Sequence, residues 1–112
     1  MSPEFNLSQK LFPDLPDEFE PREVSRILRI SRTALRDWEK KGILTPVKGA
    51  YPHTFTLFSQ AQFGRAGVVK LLRSEGWDFP EIRSELTKPG YLEGHMDLLR
   101  ELIAQDRSET SQ

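Results

Sequence analysis

The sequence contains no cysteine. That one absence excludes disulfides, zinc fingers, thiol nucleophiles and thiolate-based metal or redox sensing. Long apolar runs are also missing. Nothing approaches the ~18 residues that span a bilayer, and the N-terminus lacks the basic region and apolar stretch of a signal peptide. The expectation is a soluble, cytoplasmic protein with no membrane partner. Apolar residues reach only 37% of the 112, and adding glycine still leaves the chain a little under the usual ~45–50%. Such a composition supports one small core with polar ends. Histidine is scarce, with His53 and His95 alone. Each reads as a surface histidine, far from any paired carboxylates, nucleophile–base arrangement or glycine-rich phosphate loop. No enzyme, cofactor or metal site is expected.

An excess of either charge is the last absence, since the formal net charge is −1. Its distribution says more. Residues 1–21 hold one lysine against five acids, whereas residues 22–58 hold eight Lys/Arg against three acids. Residues 59–88 are nearly balanced, and residues 89–112 are acidic again. A near-neutral chain thus carries a basic middle between acidic ends. Phosphate-binding surfaces are made this way, because each contact needs a local cation whatever the total charge.

Prolines 3, 13 and 16 break any periodicity in residues 1–20, which read as an extended or disordered acidic arm. Its apolar side chains, Phe5 to Phe19, are more numerous than an inert tail needs. They suit packing back onto the domain or docking a protein partner. Pro21 fits the first turn of a helix, and Val24, Ile27 and Leu28 then recur on one face. Ser31 is a good N-cap for a second helix from Arg32 to about Lys41, with Gly42 as its stop. Leu35 and Trp38 fall on one side of it. Arg32, Arg36 and Lys40 stand well around from Trp38, beside Thr33 and Asp37.

Residues 45–58, with breakers Pro46, Gly49 and Pro52 and an alternating run from Thr54 to Phe58, fit a two-stranded ribbon. Ser59 and Gln62 have capping-box spacing and open a helix that ends at Gly76. Asp78 and Glu81 repeat the signal for a helix closed by Pro89-Gly90. A last helix spans roughly Leu92 to Gln105, and Leu92, Met96, Leu99 and Ile103 form a seam of about two heptads. That seam fits its own domain as well as a second copy. Residues 107–112 read as a disordered tail. Helix, turn, helix, ribbon and further helices describe a mainly α winged helix-turn-helix spanning 21–88, followed by a possible dimerisation helix at 89–106.

At this point the residues resemble a known family. Ile30-Ser31, Leu35-Arg36-Asp37-Trp38-Glu39 and Gly42-Ile43-Leu44-Thr45-Pro46 are similar to the MerR family's Val-Ser turn, Leu/Ile-Arg-Tyr-Tyr/Trp-Glu run and Gly-Leu-Leu-x-Pro. Phe55-Thr56-Leu57-Phe58-Ser59 falls where the family has an aromatic, Arg, any residue, Tyr and Ser. The stretch from Leu71 to Ile82 resembles Leu-Arg-x-x-Gly-Phe-Ser-Leu-x-Glu-Ile. The resemblance implies a transcriptional regulator that reads the major groove of double-stranded DNA with helix 32–41 and grips the backbone with the 45–58 wing. Arg36 then matches the family's helix arginine, and Ser31, Arg32 and Thr33 match the start of that helix. Lys40 and Lys41 close it. Lys48, His53, Thr54 and Thr56 are the wing candidates. Asp37 stands in place of the first tyrosine and Thr56 in place of the wing arginine, so Lys48 and His53 are expected to supply the lost charge.

No room is left for an effector domain, which describes a minimal member. An excisionase-like or architectural DNA-binding protein shares every feature, and a winged-helix protein-interaction module is the rival outside DNA binding. Affinity for a specific site calls for two half-sites. A weak or DNA-assisted homodimer through Leu92, Met96, Leu99 and Ile103 is the expected assembly.

Overall fold

The computed structural model describes residues 11–48 and 56–110. Strand β1 (Glu18–Phe19) leads into helices α1 (Pro21–Leu28) and α2 (Arg32–Lys40). Strands β2 (Val47–Lys48) and β3 (Thr56–Ser59) follow, then α3 (Gln60–Ser74), α4 (Phe79–Leu86), α5 (Tyr91–Gly94) and α6 (Met96–Thr110). The architecture is a winged helix-turn-helix with extra C-terminal helices.

Local signals place most helix ends. The Ser31 hydroxyl accepts the Ala34 N–H at 3.0 Å, and Gly42 takes φ 76 while the Ile43 N–H donates to the Trp38 carbonyl at 2.9 Å. The Asp78–Glu81 capping box is complete, with both bonds at 2.9 Å. At Ser59 only half a box forms. Its hydroxyl accepts the Gln62 N–H, but the Gln62 amide oxygen accepts the Thr45 N–H at 2.8 Å instead of reaching back. Ser59 is the last residue of β3 and belongs to the sheet as well as to the cap.

The ribbon is part of a larger sheet. Strand β3 pairs antiparallel with β2, Val47 opposite Leu57, and on its other edge with β1, Phe19 opposite Phe58. The strand order is β1-β3-β2. Residues 11–20 are therefore no free arm. Phe19 stacks on Phe63 with centroids 4.3 Å apart, and Phe12 meets the same ring edge-on at 5.4 Å. Buried Gln60 fastens the segment. Its oxygen accepts the Phe12 N–H at 3.0 Å, and its amide nitrogen donates to the carbonyls of Phe12, Leu15 and Pro16. Replacing Gln60 by leucine strands these groups beside a buried ring, a cost of about 1–3 kcal/mol. Faster amide exchange at Phe12 and earlier proteolytic nicking within 11–20 are the expected readouts. Unchanged protection at Phe12 would show that the phenylalanines hold the segment alone.

Helix α3 forms the centre, with Phe63, Ala66, Val68, Val69 and Leu72 all buried. Its glycines admit the C-terminal helices. A Cβ at Gly64 would lie 2.8 Å from Leu92 Cδ1, and one at Gly67 would collide with Leu99 Cδ2. The C-terminal helix differs from expectation in two ways. It breaks at His95, following Gly94, and the His95 carbonyl then accepts the Leu99 N–H to start α6. Helix α6 also continues to Thr110, so residues 107–110 are helical where a tail was expected. Asp106 is buried and binds Arg26 of α1 at 3.0 Å, which holds this end of the helix on the domain.

Leu92, Met96, Leu99 and Ile103 lie in this core. A heptad seam only states that one helix face is apolar. Here the chain's own α3 and α1 cover that face, and the expected seam for a second copy is corrected accordingly. The histidine reading changes as well. His95 is half-buried, with a buried Nδ1 that has no hydrogen-bond partner and Nε2 3.7 Å from Glu85. The Lys88 ammonium, 3.1 Å from one oxygen, and secondarily the nearby His95 ring hold the Glu85 carboxyl below its ordinary range.

Candidate nucleic-acid interface

The nine residues of α2 present a buried and an exposed face, with Ala34, Asp37 and Glu39 between them. Leu35 and Trp38 are buried against the core as packing residues. Ser31, Arg32, Thr33, Arg36 and Lys40 are all exposed. The 100° step of an α-helix accounts for the split, since residues three or four apart share a face. At its N-terminal end the first N–H groups have no intrahelical acceptor, and the helix dipole adds a partial positive charge. The Ser31 oxygen is occupied by Ala34, but its O–H proton is free to turn outward as a donor.

Asp37 is less disruptive than its charge implies. Its two oxygens each accept from Lys41 Nζ at 2.9 Å. This pair is worth only a few tenths of a kcal/mol at an exposed site. Its effect on the surface is larger, because it cancels the carboxylate beside Arg36 locally. Lys41 is committed by the same contact, and its Nζ also lies 5.1 Å from the Phe79 ring centroid. Arg73 covers that ring too, its guanidinium carbon 4.7 Å from the centroid. Arg83 donates to the Lys41 carbonyl. Three cations therefore surround the C-terminal end of α2, two of them brought there by α3 and α4.

The opposite end of α2 holds a residue that sequence reasoning missed. Arg22, in the first turn of α1, shares a cleft of about 180 Å³ with Arg32, Glu20 and Pro21. Arg22 is exposed and only loosely paired, 3.3 Å from Glu20. Arg22 and Arg32, from the N-terminal turns of two helices, thus border one cleft, together with the Glu20 carboxylate. The adjacent Pro21, an N1 signal, marks where Arg22 must sit, but nothing local reveals that Arg32 lies beside it.

Lys70 was missed for a similar reason. It projects from α3 to the turn between α1 and α2, where Nζ donates to the Leu28 carbonyl at 2.6 Å and the Arg29 carbonyl at 3.3 Å. Desolvation, and secondarily the Arg29 charge, push its pKa below the ordinary lysine value. The available signal was one lysine inside Val68-Val69-Lys70-Leu71-Leu72. Of the wing candidates, Lys48 and Thr56 have their backbone in β2 and β3, register partners of one another. His53 and Thr54 lie outside the described residues.

Among the described residues, no three His, Asp or Glu side chains cluster as a metal site. No described helix is long and apolar enough to cross a membrane. Residues 19–88, well over half of the chain, match the family model of the MerR helix-turn-helix regulatory proteins. Comparison with curated proteins gives no significant match.

Proposed function

The chain belongs to the MerR helix-turn-helix family of regulatory, DNA-binding proteins, and from that premise we propose that α2 enters the major groove of duplex DNA and reads its sequence. The observation that carries this reading is the exposed face Arg32, Thr33, Arg36 and Lys40, set opposite buried Leu35 and Trp38 and led by the exposed N-cap Ser31. Arg36 is the base-reading side chain, since an arginine at mid-helix can present its two-pronged guanidinium to guanine O6 and N7. Arg32 and Arg22 take one flanking phosphate into their shared cleft, in line with the first helix of such folds crossing the DNA backbone. The wing, with Lys48, His53, Thr54 and Thr56, tracks the backbone on the other flank. A second half-site is filled by a second copy recruited on DNA, not through the 92–103 seam.

Arg22→Ala and Arg32→Ala test the phosphate assignment. Each should lower affinity by a similar factor on all duplexes, and because the two share one phosphate, only the double variant should flatten the plot of log affinity against log salt by about 0.9. A variant that lost discrimination at one base pair would be a base reader instead. Absence of any duplex binding by the wild-type protein at low salt would favour a protein-docking role for the winged helix.

A further inference from the structure

The turn between α1 and α2 is built without glycine. Arg29 adopts φ 58 and ψ 48, the left-handed region that a Cβ disfavours. The helix ends here, so its last carbonyls lack intrahelical partners and need donors from elsewhere. The Ser25 hydroxyl serves the Ile30 carbonyl, and the Ile30 N–H returns to the Ser25 carbonyl at 3.1 Å. Lys70 serves the carbonyls of Leu28, the last helical residue, and of Arg29, its C-cap. Its ammonium also stands at the negative end of the α1 dipole. Helix α3 begins at Gln60, directly after β3 ends at Ser59. One rigid helix therefore links the root of the wing to the turn that launches α2.

We infer that Lys70 is a positioning residue: by holding the α1–α2 turn from α3, it fixes the pose of the groove-reading helix relative to the wing. The inference rests on the DNA-reading role proposed for α2. It predicts a loss of selectivity more than a loss of general affinity. Phosphate contacts tolerate a small tilt of the protein, whereas bidentate base contacts do not.

Lys70→Met retains most of the stem and removes the donor. The full chain is used, with a duplex selected by the wild-type protein from a random pool and an unselected duplex of equal length. Lys70→Met should stay folded by circular dichroism and exchange the Ile30 and Leu35 amides faster. It should bind the selected duplex about tenfold more weakly. Affinity for the unselected duplex and the salt slope should hold, and Lys70→Arg should restore most of the selectivity. If Lys70→Met does not fold, Lys70→Gln takes its place under the same criteria. A folded variant with faster exchange but wild-type selectivity would reduce Lys70 to a stabilising contact and overturn the inference. Failure of the wild-type protein to select any sequence would instead overturn the DNA reading itself, and with it the inference.

Discussion

Arg36→Ala is expected to weaken binding to the selected duplex by ~1–3 kcal/mol, roughly 5- to 150-fold, with discrimination lost at one base pair. Stability should barely move. The side chain is exposed at mid-helix, and alanine is the better helix former by a few tenths of a kcal/mol. The two effects separate because nothing in the core touches Arg36, whereas a bidentate base contact has no substitute once the guanidinium is gone. Its neighbour strengthens the case. With Asp37 bound to Lys41 at 2.9 Å, the carboxylate beside Arg36 is already compensated, so the arginine is not drawn away from the groove. Titrations of wild type and Arg36→Ala against the selected duplex and its one-base variants are the measurement. A folded Arg36→Ala protein with unchanged selectivity would remove Arg36 from the reading head.

The largest stability effects should come from the contact between Gly67 and Leu99. Leu99 is fully buried, and Leu99→Ala should cost about 2–5 kcal/mol through lost burial and the cavity it leaves. Gly67→Ala should cost about 1–3 kcal/mol by the opposite route. Its new methyl would run into Leu99 Cδ2, the end of a side chain that is itself fully buried. Combined in one chain, the two changes should cost distinctly less than their separate effects added, because the methyl enters the space that the leucine vacates. Urea denaturation of all four proteins closes the cycle. Strict additivity would mean that α6 does not seat on Gly67.

These two sites also show how much could be read from the amino-acid order. The exposed face of α2 was legible because it needs only local information: a Ser31 cap, a Gly42 stop and a 100° step. The same holds for Asp78 and Glu81. The partner of α6 was not legible, since Leu92, Met96, Leu99 and Ile103 are spaced alike whether they meet another copy or their own α3. What decides it is the pair of gaps at Gly64 and Gly67, which suggest close packing in the sequence but do not say that Leu92 and Leu99 fill them. Helix α3 hides its role for a related reason: burial on most sides blurs its periodicity. Residues 11–20 have three kinds of support, from Gln60, Phe63 and β3, and each is about 40 to 50 residues away in the chain. Prolines erase every local trace of it.

The ion pair between Arg26 and Asp106 joins residues 80 apart in the chain. Helices α1 and α2 carry their own caps and pack on one another early in synthesis, but α1 meets α6 only when synthesis has passed residue 106. Closing so long a loop costs more entropy than any local turn, although that cost grows only with the logarithm of its length. Contacts of this span slow folding. Helix α1, among the first elements made, is therefore among the last to be locked, and during translation the nascent chain leaves the side of α1 that α6 covers exposed until that helix arrives.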